Sequence, residues 1–136
     1  MGSCALSISD MVAVAMSEPI SFIVFGKPQA KQRPRVTKDR VVYTPAKTIT
    51  YEHEVGYRAK RVTKGMFTGD VAVTLKLYFK NRQHLPDNDN VAKAILDGMN
   101  KIVYKDDSQI SKLIIERFIS STEPERAEVE VSQVMQ

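Results

Sequence analysis

The clearest periodic pattern in the chain is an alternation of apolar and polar residues over Thr68–Lys80. Its apolar positions recur at every second residue: Val71, Val73, Leu75, Leu77 and Phe79. A period of two is that of a β-strand, so the pattern predicts a strand with one face in the core. The β-branched and aromatic run Ile20–Phe25, closed by Gly26 and Pro28, predicts a second strand.

Two segments carry apolar residues at the spacing of a helix. The first runs from Ala46 to about Val62 and ends at Lys64-Gly65. The second is predicted to start at a cap on Asn88 or Asp89 and to reach about Val103. Its apolar stripe consists of Val91, Ala92, Ile95, Leu96, Met99, Ile102 and Val103.

The remaining segments complete the predicted topology. Val41–Tyr43 predicts a small strand, and Lys27–Lys38, which has no clear period, predicts a loop. Ser111–Ser120 and Ala127–Val134 predict two further strands, and the turn at 122–125 between them favours an antiparallel hairpin.

This order of elements predicts an α+β domain, with two helices packed on one face of a mixed β-sheet of about four main strands. A chain of 136 residues has the length of one domain. We assign residues 19–136 to that domain. Residues 1–18 are interpreted as an N-terminal leader outside the core. A secretory signal is the weaker interpretation, because the apolar run Met11–Met16 is short and no basic region precedes it.

The charge of the chain is distributed unevenly. The chain holds 20 Lys and Arg against 16 Asp and Glu, a formal net charge of +4, which does not by itself identify a partner. The segment from Lys27 to Arg40 holds six basic residues and a single acid, Asp39. Such a segment is typical of a surface that binds a polyanion.

The cysteine count and the hydropathy indicate the cellular compartment in which the chain is expected. The single cysteine, Cys4, excludes an internal disulfide and favours a reducing, cytoplasmic location. No apolar run approaches the roughly 20 residues that cross a bilayer, so no membrane partner is expected. The two histidines are far apart and have no cysteine partner, which argues against structural zinc.

Acidic residues are concentrated between residues 87 and 107. Asp87 and Asp89 flank a predicted helix start, Asp97 lies two turns on, and Asp106-Asp107 follow the helix. We expect the strand ending at Lys80, the helix start and the Asp106-Asp107 turn to share one edge of the sheet. Carboxylates held together repel one another, and a hard divalent cation such as Mg²⁺ offsets that repulsion.

A metal held by these acids would suit phosphodiester hydrolysis. It could make water nucleophilic at neutral pH and offset charge that grows on a phosphate. Lys93 lies one helical turn from Asp89, in position to contact the scissile phosphate. Together with the basic segment, this arrangement suggests a nuclease.

Each of these features also has an ordinary structural explanation. Asp87 or Asp89 could be only a helix cap. Lys93 could form a surface ion pair with Asp89 or Asp97, worth a few tenths of a kcal/mol. Asp106-Asp107 could be only a turn, and the basic segment only a solvated surface. A single metal-dependent site explains all of them together.

The motifs resemble the signature of RusA-type Holliday junction resolvases, endodeoxyribonucleases of bacteria and their prophages. The matching runs are Pro86 to Lys93 (PDNDNVAK), Asp97-Gly98-Met99 and Asp106 to Ile110 (DDSQI). Gly26-Lys27-Pro28 and Lys31 to Arg35 (KQRPR) resemble the basic N-terminal segment of that family more loosely. The resemblance covers about residues 20–134.

The resemblance implies a role for each matched residue. The essential acids fall on Asp87, Asp89 and Asp107, and the essential lysine falls on Lys93. Asp106 is a further expected metal ligand, and Asp97 and Asn90 occupy second-tier motif positions. The expected DNA-binding residues are Lys27, Lys31, Arg33, Arg35 and Lys38.

The resemblance also implies the reaction and the partners. The cofactor would be Mg²⁺, with Mn²⁺ as a substitute, and no nucleotide cofactor is expected. A homodimer would place paired, symmetric nicks across a four-way DNA junction during recombination and repair, since a two-fold dimer offers two equal sites to a two-fold substrate.

Two other functions remain open at this point. The chain could be a non-catalytic DNA-binding accessory protein that has kept the fold, although carboxylates beside DNA without a metal would repel it. It could also be a general metal-dependent phosphodiesterase that acts on RNA or on damaged DNA, which the acids fit equally well.

Overall fold

The computed structural model describes residues 18–32, 35–43 and 46–134, and the side chains of Arg35 and Tyr43 lie outside the description. The leader interpretation of residues 1–18 therefore falls almost wholly outside the described residues, as does Arg33. The elements in chain order are β1 (Ile20–Phe25), β2 (Arg35–Val36), β3 (Val42–Tyr43), α1 (Ala46–Val62), β4 (Val71–Phe79), α2 (Asn88–Met99), a 3-10 turn (Asp107–Gln109), β5 (Ile110–Ile119) and β6 (Arg126–Gln133).

Four strands form the main sheet in the order β1-β6-β4-β5. β4 pairs in parallel with β5 and antiparallel with β6, and β6 pairs antiparallel with β1. The sheet is therefore mixed, and with two helices it confirms the predicted α+β class. β2 and β3 form a separate two-stranded ribbon inside the segment that was predicted to be a loop and a small strand.

The core lies between one face of the sheet and the two helices. The alternating apolar residues of β4 are all buried, which confirms the strand predicted from their period of two. The apolar residues Val91, Ile95 and Met99 of α2 are fully buried in the same core. No helix among residues 18–32, 35–43 and 46–134 is long and apolar enough to cross a membrane.

The two helices touch through glycines. A Cβ atom built on Gly98 would lie 2.8 Å from the Glu52 carbonyl oxygen and 2.8 Å from Cβ of Val55, and one on Gly56 would lie 3.0 Å from the Gly98 carbonyl oxygen. Larger side chains at these positions would push the helices apart. The contact fixes the position of α2, whose first turn carries two of the predicted site residues.

The predicted hairpin between the last two long strands is wrong. β5 pairs with β4 alone among the described strands, and β4 lies between β5 and β6. The connection from residue 120 to 125 crosses the end of β4, where Ser120 donates its N–H to the Phe79 carbonyl oxygen at 2.9 Å. The Lys80 N–H also donates to the Glu125 carboxylate at 3.0 Å, so the turn residues do not close a hairpin.

The predicted bounds of the second helix are also corrected. Its cap is Asp87, not Asn88 or Asp89, and its last residue is Met99, four residues before the predicted end. Lys101 has a positive φ of 66°, a conformation that does not continue a right-handed helix. Val103 lies beyond the helix but is still buried. The apolar pattern therefore continues past Met99 and does not indicate where the helix ends.

Candidate active site

Two of the predicted acids lie at the start of α2. Asp87 is the N-cap residue, with extended backbone angles, but its side chain makes no capping hydrogen bond. Asp87 and Asp89 are both exposed. The ordinary explanation of Asp87 as a capping side chain therefore does not hold, and its carboxylate stands at the positive end of a helix dipole, where negative charge is stabilised.

Arg117 of β5 holds the backbone just before Asp87. One of its terminal nitrogens donates to the Pro86 carbonyl oxygen at 2.8 Å, and its guanidinium carbon lies 5.8 Å from the centre of the Phe79 ring. Its register partner is Leu77, so it occupies the core-facing side of β5. Sequence reasoning missed this residue, although an arginine at a core-facing position of an apolar strand is an available signal.

Lys93 lies on the exposed side of α2. Among the described residues it forms no ion pair with Asp89 or Asp97. The Lys31 ammonium contacts Asp97 instead. The ordinary explanation of Lys93 as a partner in a surface ion pair with Asp89 or Asp97 therefore does not hold. Its ammonium remains open to solvent next to the acids at the helix start.

Lys31 joins the basic segment to both helices. Its ammonium contacts the Asp97 carboxylate and lies 3.6 Å from Glu52 of α1, and its backbone N–H donates to the Asn90 carbonyl oxygen at 2.9 Å. The hydrogen bond with Asp97 is the main cause of a raised Lys31 pKa. Asn90 and Asp97 thus position the segment. The DNA-binding role of Lys31 stays a prediction, since its charge is already paired.

Lys27 of the basic segment also lies near the start of α2. The Lys27 ammonium donates to the His84 carbonyl oxygen at 3.3 Å, in the loop that leads to Asp87. Lys38 is exposed in the turn of the β2-β3 ribbon. Arg33 and the side chain of Arg35 lie outside the described part of the chain.

The Asp106-Asp107 turn has a defined structure of its own. The Asp106 carboxylate accepts the Ser108 N–H at 3.4 Å. Hydrogen bonding with the Ser108 side chain, and after it with this N–H, lowers the Asp106 pKa. Gln109 accepts the N–H groups of Lys105 and Asp106, and its amide donates to the carbonyl oxygens of Phe67 and Gly69, both at 2.9 Å. Asp107 is exposed. The ordinary explanation as a turn therefore accounts for Asp106 and Gln109 but leaves Asp107 unexplained.

Tyr104 places this turn beside the C-terminal end of α2. Its buried hydroxyl donates to the Leu96 carbonyl oxygen at 2.7 Å. Burial raises the Tyr104 pKa, and the charges of Asp107, Asp97 and Asp106 raise it further. Asp97 and the Asp106-Asp107 turn therefore lie toward the C-terminal end of α2, while Asp87 and Asp89 lie at its start.

The expectation that all the acids share one edge of the sheet is wrong for a single chain. Because β4 and β5 are parallel, α2 must run back from the end of β4 to the start of β5. Asp89 and Asp97 are eight residues apart, about 12 Å along a helix axis. Within the described ranges, no three His, Cys, Asp or Glu residues lie close enough to hold a metal ion.

Two sequence comparisons with known proteins cover most of the chain. A sequence model of the family described as endodeoxyribonuclease RusA matches residues 26–132. A Bacillus subtilis (strain 168) protein that carries the name "Uncharacterized protein YqaN" is 30% identical over 139 residues. That match covers 85% of this chain and 96% of the Bacillus protein. The family match spans both groups of acids and the whole basic segment.

Proposed function

This chain belongs to the RusA endodeoxyribonuclease family, and from that premise we propose that it is a Mg²⁺-dependent nuclease that resolves four-way DNA junctions by paired, symmetric nicks. Membership supports the coarser part of the proposal, an endodeoxyribonuclease of the Holliday junction resolvase type. The metal, the symmetry of the nicks and the homodimer are our own additions.

The observation that carries the proposal is the pair of exposed carboxylates at the start of α2, next to the basic segment. Asp87 and Asp89 are exposed there, and the Asp87 side chain makes no capping hydrogen bond. The backbone of the basic segment is bonded to Asn90 of the same helix turn. Exposed carboxylates beside cationic side chains are the arrangement that a metal and a phosphate backbone together would satisfy.

We assign the following roles in the reaction. Lys93 would contact the phosphate that is cut, and Lys27 and Lys38 would contact neighbouring phosphates, as would Arg33 and Arg35. Phosphate contacts give affinity that falls steeply with salt and carries little sequence information. Asp87, Asp89, Asp106 and Asp107 are the proposed ligands of Mg²⁺ or Mn²⁺, which would supply a nucleophilic water and offset phosphate charge.

The proposed metal ligands do not fit one ion within one chain. Asp106 and Asp107 lie beyond the far end of α2 from Asp87 and Asp89, and Asp106 is engaged with Ser108. Within the described residues, a single chain therefore does not bring the four proposed ligands to one ion. The ligand set itself remains part of the proposal.

The direct test is cleavage of a labelled synthetic four-way junction beside a linear duplex of the same sequence, with Mg²⁺ and with EDTA. Paired nicks in the junction alone, abolished by EDTA, would support the proposal. The Asp89→Asn variant should lose cleavage and keep or strengthen junction binding, because it removes negative charge next to phosphate. Tight binding without nicks under Mg²⁺ or Mn²⁺ would instead favour a DNA-binding accessory protein.

A further inference from the structure

β1 is an edge strand of the main sheet. Among the described strands only β6 pairs with it. Gly26, which follows β1, donates its N–H to the Glu125 carbonyl oxygen at 2.9 Å. The direction of the main-chain groups alternates along an antiparallel strand, so the even-numbered residues of β1 face β6. Ser21, Ile23 and Phe25 therefore direct their N–H and carbonyl groups outward, where a further strand can bond them.

A cavity of about 610 Å³ runs along this edge. Its apolar lining comes from both faces of β1, with Phe22 on the core face and Ile23 and Phe25 on the outer face. Ile23 is 38% exposed, Phe25 is 60% exposed, and Val62 of α1 adds a further exposed apolar side chain. None of the lining residues belongs to the proposed nuclease site. The cavity is therefore a separate apolar surface beside unpaired backbone.

The side of the cavity formed by α1 is cationic. Arg58 and Arg61 line it. Arg58 is paired with Glu54 through Nε at 3.1 Å, and within residues 18–32, 35–43 and 46–134 Arg61 forms no ion pair. The Tyr57 ring centre lies 5.9 Å from the guanidinium carbon of Arg58 and 5.8 Å from that of Arg61, which favours both guanidiniums at this place. This side of the cavity therefore attracts carboxylates.

The side of the cavity on the outer face of the sheet has a different charge. Lys76 lines it together with two acids, Glu128 and Glu130. Glu128 is already bonded to Arg126 at 2.7 Å. Two acids against one lysine disfavour a further carboxylate or a phosphate backbone on this side, whereas the exposed apolar side chains of β1 favour an apolar partner.

We propose that an extended, acidic peptide segment of a partner protein adds to the sheet along β1, with carboxylate and apolar side chains in alternation. Residues two apart on a strand share one face and lie about 6.6–7 Å apart, and residues three apart on a helix surface lie about 5–6 Å apart. Two alternate carboxylates of the peptide would therefore reach Arg58 and Arg61. The apolar side chains between them would pack against Ile23 and Phe25.

This mode of recognition divides affinity and specificity between two parts of the peptide. The main-chain hydrogen bonds of an added strand give affinity, and the alternate side chains give specificity. Such a segment would recruit the protein to its partner without using any residue of the proposed nuclease site. The inference goes beyond the proposed function and does not depend on it.

The first test measures binding of a synthetic peptide to the full chain. The probe is a fluorescein-labelled peptide of about eight residues in which glutamate alternates with valine, with both ends blocked. It is kept dilute to prevent self-association, and binding is followed by fluorescence anisotropy. A peptide of the same composition with its glutamates adjacent should bind roughly tenfold more weakly, because it cannot present carboxylates and apolar side chains to opposite sides.

The second test removes the two guanidiniums. The double variant Arg58→Gln and Arg61→Gln should bind the alternating peptide roughly tenfold more weakly, because it loses two charge-assisted contacts. Lys60→Gln is the matched control, because it removes the same charge from the same helix at a residue that does not line the cavity. It should bind as the wild type does. Thermal melts would show that each variant is folded.

The third test distinguishes strand addition from side-chain contacts alone. In an added strand the N–H groups of only every second peptide residue face β1. Methylation of the backbone nitrogens in one alternate set should therefore abolish binding, and methylation in the other set should leave it unchanged. Equal effects of the two sets would overturn strand addition.

The remaining outcomes decide the occupant. No binding to the full chain would mean that β1 is already covered or does not accept such a segment, and it would overturn the proposal. An equal loss in Lys60→Gln would overturn it as well, since any surface cation would then serve. Displacement of the peptide by four-way junction DNA would assign the arginines to DNA instead. Peptide binding by a protein that never cleaves DNA would support the proposal and contradict only the nuclease function.

Discussion

Arg117 illustrates how one residue can position a site without belonging to the sequence motif. Arg117→Met should remove the bond to the Pro86 carbonyl oxygen, a hydrogen bond from a charged donor, and lower the free energy of unfolding by about 1.5–3 kcal/mol. Urea unfolding measures this change, and hydrogen exchange should rise in residues 80–87. Lys105→Met, an exposed change in the connection at the opposite end of β5, serves as the control. Equal stability of the two variants would show that Arg117 does not hold the loop.

A second prediction at this scale concerns the contact between the helices. Gly98→Ala would bring a methyl group within 2.8 Å of the Glu52 carbonyl oxygen and of Val55, and should cost about 1–3 kcal/mol through overpacking. Gly65→Ala is the matched control, because a Cβ there meets nothing within 4 Å. Thermal melts of both variants would compare them. A Gly98→Ala protein as stable as Gly65→Ala would mean that the helices move apart freely.

The sequence identifies residues whose importance lies in their type and spacing, and it misses those whose importance lies in distant contacts. Asp87 and Asp89 are found at the helix start, where the motif predicts them, although their catalytic role stays a prediction. The contact of Lys31 with Asp97 joins residues 66 apart, and that of Arg117 with Pro86 joins residues 31 apart. No local pattern specifies such pairs.

At the scale of elements, Gln109 joins the turn before β5 to the chain that enters β4. Gln109→Glu would replace the amide donor with a carboxylate facing the carbonyl oxygens of Phe67 and Gly69. We expect a loss of about 1–3 kcal/mol from these unsatisfied groups. Urea unfolding would show it, with Gln83→Glu in an exposed loop as the control. An unchanged midpoint would mean that the turn does not depend on this link.

The attachment of the basic segment to α2 should depend on pH. Because the hydrogen bond with Asp97 raises the Lys31 pKa above its usual 10.5, the folded protein binds this proton more tightly than the unfolded chain. The contribution of the pair is therefore complete below pH 10.5 and is lost as the pH rises through the higher folded value. The urea midpoints of wild type and Lys31→Met should differ at neutral pH and converge as the pH rises above 10.5 and through the folded pKa of Lys31. An exposed change, Lys60→Met, should leave the wild-type pH profile intact.

Helices and strands with a clear periodicity of apolar residues are predicted well, whereas the order in which the strands pair is not. β1 and α1 have the bounds that the apolar pattern predicts, and β4 differs only at its ends. The hairpin between β5 and β6 fails because a short connection suggests neighbouring strands, whereas β4 lies between them. The same parallel pairing of β4 with β5 separates the acids, and strand order is not encoded in the period of any one strand.

For the whole molecule, the proposed homodimer would link activity to protein concentration. On dilution below the dissociation constant of the dimer, the nicking rate per chain should fall, and the melting temperature should fall with it, because association stabilises the folded state. Junction cleavage and thermal melts over the same dilution series would test this. Lys60→Met, an exposed change on α1, should follow the wild-type curve. A constant rate per chain would contradict a homodimer that is required for nicking.

The position of β6 has a consequence for how the protein is made. It is the last strand of the described chain, yet it lies inside the sheet and pairs with both β1 and β4. Phe22 faces Val129, more than a hundred residues later, and Leu75 faces the same residue. During translation, β1 and β4 therefore lack the strand that joins them in the sheet until β6 has been synthesised to residue 133. We expect nascent chains shorter than this to remain open to proteases, and the sheet to form only as translation nears its end.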